Sequence, residues 1–444
     1  VVSQIVQTDN KYQAAFDRLR SDDADRQTSW LEHLRQRAMD SFGQLGFPTV
    51  RDEDWKYTNL APLTRVNFEP NVSRSSAVER VSLDYSSFPE AAKSRLVLVN
   101  GILHEELSSL EGAGQIIVQE ISEAVADSRY GDLIREHLAQ GADYSANGPT
   151  ALNTAFMTGV FVLVPRNIKL DAPLHINCLA DPARTEMANF PRVLLIAEEN
   201  SAATIIETFD TTAARQYFTN AVVEVVLQDG AQLDHYRIQR ESLAAFHLGT
   251  TSVNLGRHSH YKTVSINLGA KLSRHEINVV MDQEGAECSV DGLYLVNTGQ
   301  HTDTHSLIDH RKPRCTSHQL YKGILDGNSR AVFNGKIFVR HDAQQTDALQ
   351  TNKNLLLSPS AHVDTKPQLE IFADDVKCAH GAAIGQIDEE ELFYLQTRGI
   401  HPDLGRNLLT YGFAEEVIGR IKIDSIRAQL DLTVLNRLGA QLEA

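Results

Sequence analysis

The hydrophobic pattern changes its period twice along this chain. In SWLEHLRQRAMDSFGQLG, the residues Trp30, Leu31, Leu34, Ala38, Phe42 and Leu45 fall at helical spacings, and Gly46 ahead of Pro48 supplies a stop. The first 45 residues or so therefore read as helix, amphipathic and packed on the body. Residues 51–150 are mixed, with a strand signal at RLVLVNGIL (Arg95 to Leu103) and helical signals near SSLEGAG and YGDLIREHLA. From about Phe161 to Gly385 short runs rich in Val, Ile, Leu and Thr follow one another without a helical period. Val193 to Ala197, Ala203 to Phe209, Val222 to Leu227, Thr263 to Leu268, Ile277 to Met281, Val332 to Val339 and Leu369 to Phe372 are the clearest. The turns Asp229-Gly230-Ala231, Glu284-Gly285-Ala286 and Asp326-Gly327-Asn328 each close one run and open the next.

Over two hundred residues of strand signal with no helix between leave a sandwich, a propeller or a strand solenoid. The turns recur irregularly, so strict repeat families do not fit, whereas a solenoid with coils of variable length does. Runs such as AVVEVVL are apolar with only partial alternation, as expected where one face lines a coil interior and neighbouring coils pair through the backbone. After Gly385 the helical period returns. Asp388 and Glu391 make a capping-box-like start, Leu392 and Leu395 mark one face, and Gly399 is a stop. Pro402 opens a second helix through LGRNLLTYG, ended by Gly412. A third, from about Asp424, carries Ile426, Leu430, Val434, Leu435 and Leu438 at near-heptad spacing. The fold class is mainly β: an N-terminal helical and mixed region over 1–150, a strand solenoid over 151–385, and a C-terminal helical domain over 386–444 suited to docking on a partner.

Composition narrows the partners. The 444 residues are 42% hydrophobic and 23% charged, an ordinary globular balance. With 42 Lys and Arg against 58 Asp and Glu, the net charge of −16 argues against nucleic acid or an anionic membrane. Cys178, Cys288, Cys315 and Cys378 show no CxxC pair and no disulfide-scaffold spacing, which favours a reducing compartment. The start lacks a basic segment followed by an apolar run, and no apolar stretch approaches a membrane span. The expected location is the cytoplasm.

Cys378 and His380 carry the most pointed chemistry. Residues two apart on a strand share a face, so this pair could approach one ion, but a zinc site or an iron–sulfur cluster takes about four ligands. The others must come from elsewhere. The competing reading is a buried thiol beside a hydrogen-bonded histidine. In HTDTHSLIDH, the residues His301, Asp303 and His305 also share a face, where an outward polar ladder competes with a metal site. His258, His260 and His235 are weaker candidates. Gly335-Lys336 is followed by Ile337, so no phosphate-binding GxxxxGK[ST] loop exists, and no GxGxxG opens a helix. No ATP hydrolysis and no catalytic residue are expected. Asp374-Asp375 and Asp303 with Asp309 could serve a polysaccharide-active solenoid, but the chain holds two Trp in all and few aromatic platforms.

Four segments bear a specific likeness: DEDWKYTNL (Asp52 to Leu60), YKGIL with VFNGKIFV (Tyr321 to Leu325, Val332 to Val339), the block Gln345 to Gln386, and LFYLQTRGI (Leu392 to Ile400). Through them the chain resembles the SufB/SufD family, scaffold subunits of the SUF system for iron–sulfur cluster assembly. The absence of cysteine from the first 177 residues sets it on the SufD side, since SufB-like chains are expected to carry an N-terminal cysteine cluster. The resemblance implies a right-handed parallel β-helix core with helical ends, pairing with SufB, and docking of the SufC ATPase on the C-terminal helices. It further implies a transient iron–sulfur cluster shared with SufB, to which the histidine of the C-x-H-G segment, here His380, contributes, with Cys378 as a second candidate. Leu392, Phe393, Tyr394, Leu395 and Arg398 are the expected SufC anchors, against packing within the domain. A solenoid end with unpaired backbone invites strand addition, so a homodimer is expected of the isolated chain. A purely structural scaffold with an inert Cys-x-His is the rival. Contact with a flavin or a persulfide donor is not written in the sequence.

Overall fold

A computed structural model describes residues 2–22, 28–71, 87–181 and 186–437. Leu438, the last position of the near-heptad series, lies outside them. The middle of the chain crosses back and forth between two parallel sheets. One sheet contains Thr158–Val164, Pro191–Ala197, Tyr217–Leu227, Phe246–Leu255, Leu272–Met281, His301–His310, Arg330–Val339 and His362–Ile371. Its counterpart contains Leu174–Ala180, Ala202–Thr211, Gln232–Gln239, His260–Asn267, Glu287–Val296, Thr316–Leu325, Thr346–Leu356 and Val376–Gly385. Each crossing completes part of a coil, giving a parallel β-solenoid of about seven turns with helical regions at both ends.

Register is continuous from coil to coil. In the second sheet His235, Thr263, Val290, Gln319, Gln350 and His380 form one column of directly paired residues. A corner between the sheets is set by one residue per coil in the left-handed region: Asn200, Gly230, His258, Gly285, Arg314 and Gln345, spaced 27 to 31 positions apart by their own numbers. Each donates its backbone N–H to the next coil, as Asn200 does to the Asp229 carbonyl and Gln345 to that of Asp375. Only two of the six are glycine. The true repeat is therefore a backbone conformation, which is why the acidic-glycine turns recur irregularly in the sequence.

Aliphatic side chains fill much of the coil interior, among them Val160, Leu195, Val225, Val253, Val279 and Ile337. The outer faces are covered as well. Phe16, Phe42 and Phe156 of the N-terminal helices pack on Phe190, Phe218 and Phe246 of the first sheet. Ala414, Val417, Ile418, Ile426, Leu430 and Val434 of the C-terminal helices pack on Ile206, Ile238, Val264 and Ile266 of the second. Strands buried on both faces lose polar alternation, which accounts for runs such as AVVEVVL.

The helix Ser29–Leu45 begins at an N-cap Thr28 that accepts from the Leu31 N–H and stops at Gly46, φ 61°. Leu45 points outward rather than into the packed face. Two expectations fail. SSLEGAG forms turns instead of helix, because Ser109 bridges to Arg95 and the Gly112 N–H donates to the Lys93 carbonyl at 2.6 Å. Gly412 does not end its helix, which runs from Pro402 to Ile418. A mid-helix glycine costs about 1 kcal/mol, and burial of Ala414, Val417 and Ile418 beyond it offsets that.

Candidate metal half-site at the open end of the solenoid

Val376–Gly385 is the last strand of the second sheet and pairs on one side only, with Thr346–Leu356. Ala348, Gln350 and Asn352 of that neighbour point into the coil interior and are buried. Their partners Cys378, His380 and Ala382 must face the same way, because paired residues of a parallel ladder share a face. Among the described residues no further coil covers them. His380 is consequently exposed, while Cys378 is half-buried against the interior apolar cluster. Burial pushes the Cys378 thiol up, and the Asp347 carboxylate adds to the effect, so the sulfur stays protonated in the chain by itself. Among the described residues no group of three or more His, Cys, Asp or Glu could hold a metal ion. Two donors on the last strand make an incomplete site.

Amides share the interior beneath this end with apolar side chains such as Phe333, Ile337 and Val363. The fully buried Gln350 donates from Nε2 to Gln319 Oε1 at 2.7 Å, and Gln319 Nε2 donates to Ser306 Oγ at 2.8 Å. Asn354 donates to Asn352 Oδ1 at 2.6 Å, which also accepts from Thr365 at 2.9 Å. The rim is apolar and open: Phe372 is 56% exposed and Ile384 50%. The sequence reading passed over Gln350, Phe372 and Ile384, since their placement follows from being in the final coils and from no local motif.

His301, Asp303 and His305 share the outer face of the first sheet, but His301 and Asp303 staple the segment Asp52 to Leu60, and His305 lies 3.1 Å from Asp303. Thr58 Oγ1 donates to Asp303 Oδ2 at 2.6 Å and lies 2.9 Å from His301 Nε2. Arg274 donates to Asp303 and to the Asp54 carbonyl, both at 2.7 Å, and its guanidinium stacks 3.7 Å over the Trp55 ring. Burial alone would raise the Asp303 carboxyl. The charges of His305 and Arg274, with hydrogen bonds from His305 and Thr58, overcome it and hold the group well below the usual carboxylate range. Burial lowers His301 in turn. The other candidates are also occupied: His235 lies 3.3 Å from Glu207 inside the coil, His260 lies 3.1 Å from Glu287, and His258 holds a corner. Asp309 is paired with Arg311 and Arg340, and Asp375 sits at a corner with its N–H on Gln344.

At the C terminus Asp388 caps the helix Glu389–Thr397 by accepting the N–H groups of Glu390 and Glu391, and Gly399 adopts φ 85° beyond it. Leu392 and Leu395 turn inward against Gly405, where a Cβ would meet Leu392 at 2.9 Å. Leu392 is thus core and Leu395 is half-buried beside it, a correction to the reading of both as surface anchors. Phe393 (66% exposed) and Tyr394 (57%) face solvent, with Arg398 over the Tyr394 ring. The following helices are clamped to the solenoid by Arg420 on Asp291 and Lys422 on Asp234, both at 2.8 Å.

Comparison with known proteins agrees with this architecture. Residues 180–413 match the family described as SUF system FeS cluster assembly, SufBD core domain, and residues 6–176 match the SufBD protein N-terminal region. An iron–sulfur cluster assembly SufBD family protein of Synechocystis is 37% identical over 419 residues, 90% of each chain. The iron–sulfur cluster assembly protein SufD of Escherichia coli is 31% identical, over 93% of this chain and 92% of that one. A chloroplastic protein of Arabidopsis thaliana is 30% identical over 90% of this chain and 84% of its own.

Proposed function

Because the chain belongs to the SufBD family of SUF-system iron–sulfur cluster assembly proteins, we propose that it is a non-ATPase scaffold that lends His380 to a cluster assembled against a second subunit. One observation carries the reading. His380 is exposed on the inward face of a terminal strand whose outer ladder edge is unpaired among the described residues, with the exposed Phe372 and Ile384 beside it. A chain that continued the solenoid would cover that face and bring its own ligands to the imidazole. The natural occupant is SufB, and the cluster is cargo: shared, few-ligand coordination suits something that must leave. Cys378 is the lesser contributor, since its protonated, half-buried sulfur must lose a proton and shift outward to ligate.

Phe393, Tyr394 and Arg398 form the proposed contact for SufC, whose ATPase would supply nucleotide-driven motion. Aromatic and arginine side chains of this kind are typical binding hot spots. Truncation after Gln386 is expected to abolish SufC binding; retained binding would refute that contact. In isolation the open end would be satisfied by a second copy, giving a homodimer. Among the described residues no helix is long and apolar enough to cross a membrane, and we place the assembly in the cytoplasm. The test is coexpression with SufB and SufC: His380→Ala should leave the complex assembled and lower its iron and sulfide, whereas wild-type cluster content would overturn the ligand role.

A further inference from the structure

Gln350 sits next to His380 in the same interior column and has one atom to spare. Its Nε2 is committed to Gln319, whose own amide is committed to Ser306, so the relay of donors runs away from the open end. Gly335, on the opposite sheet, holds the amide in this pose from the other side: a Cβ there would stand 2.5 Å from Gln350 Nε2. What remains is Gln350 Oε1, an acceptor buried in a residue with no exposed surface and without a hydrogen-bond partner. Leaving such an acceptor unpaired is costly, and the neighbour on the same face toward the opening is the His380 ring.

We propose that Gln350 is a positioning residue for His380: its Oε1 accepts the N–H of one ring nitrogen, fixes the tautomer and turns the other nitrogen, with its lone pair, outward. The exposed His380 ring closes this bond by rotating onto the amide. Metal-bound histidines commonly donate their second nitrogen to such an acceptor, which fixes ring orientation and strengthens the ligand. The functional consequence rests on His380 being a ligand. The bond itself does not.

The full-length chain, labelled with 15N-histidine, reports the His380 tautomer directly, with the signal assigned by its loss in His380→Ala. The spectra are taken at pH 8. The wild type should show one dominant tautomer. Gln350→Leu should change the tautomer ratio by about fivefold, the scale of one lost hydrogen bond. Gln350→Glu keeps an acceptor and should preserve the wild-type bias, a rescue that packing alone would not give. If Gln350→Leu does not fold, Gly335→Ala, which pushes the same amide aside, should produce the same change. An unchanged ratio in whichever of the two folds overturns the proposal. The cluster yield of His380→Ala decides the ligand role separately, so either idea can fail while the other survives.

Discussion

His380 and Cys378 differ in what holds them, and that difference has measurable consequences. His380 is exposed, so His380→Ala should cost no more than about 1.5 kcal/mol by urea denaturation, the scale of the one hydrogen bond inferred to Gln350; a loss of several kcal/mol would mean the residue serves the fold. Cys378 is half-buried with its thiol pushed up by burial and by Asp347. At pH 8 it should alkylate more slowly than a free cysteine, yet faster than the buried Cys178, Cys288 and Cys315. Asp347→Asn should speed the reaction, as mass spectrometry of labelled peptides would show. The shared face of these two residues was legible from their spacing alone. The staple role of His301 and Asp303 was not, because Thr58 stands 245 positions from Asp303 and Arg274 meets Asp303 only through strand register. Gln350 escaped notice for the same reason.

The elements are held by backbone conformation at the corners and by buried ion pairs beneath the helices. Gly285 occupies a left-handed corner, φ 68°, with the His258 ring 2.4 Å from where its Cβ would be. Gly285→Val should therefore cost about 2 kcal/mol or more, read as a lower urea midpoint; an unchanged midpoint would mean that the corner does not fix the coil. Glycines at the corners were readable in the sequence, whereas His258, Arg314 and Gln345 adopt the same conformation with no local signature. Beneath the N-terminal region Arg192 and Glu224 pair at 2.7 Å in the interior, and Glu224 also accepts the N–H groups of Ala139, Gly141 and Ala142. Arg192→Met leaves that carboxylate buried without its counter-charge. It should destabilise by about 3–5 kcal/mol and expose residues 139–154 to protease. The C-terminal helix starts were legible through Asp388 and Pro402. The length of the second helix was not, because packing past Gly412 overrides its propensity.

At the scale of the whole molecule, the interior hides neutral histidines. Burial pushes His310 down to about 4, against the pull of Asp309, and His175 down to about 3, with Arg95 and Arg240 adding to the effect. Unfolded histidine titrates near 6.5. Between that value and the folded ones the unfolded chain binds protons that the native chain refuses, so the contribution of these two residues to stability is flat above about pH 7 and falls on acidification toward pH 4. From pH 7.5 to pH 5 the loss should be about 2 kcal/mol smaller in His310→Gln than in the wild type, by urea midpoints; equal losses would rule out this origin. The solenoid as a class was visible in the strand rhythm and the missing helices. Its open end was not, since no motif announces which strand comes last. That end is where the proposed function concentrates, and the most direct test is iron and sulfide content after anaerobic reconstitution. Three samples are compared: the chain alone, its complex with SufB and SufC, and the same complex carrying His380→Ala. The chain alone should hold no cluster, the wild-type complex should hold one, and the mutant complex should assemble with little. Full cluster content in the mutant complex, or a stable cluster on the chain alone, would contradict a half-site completed by a second subunit.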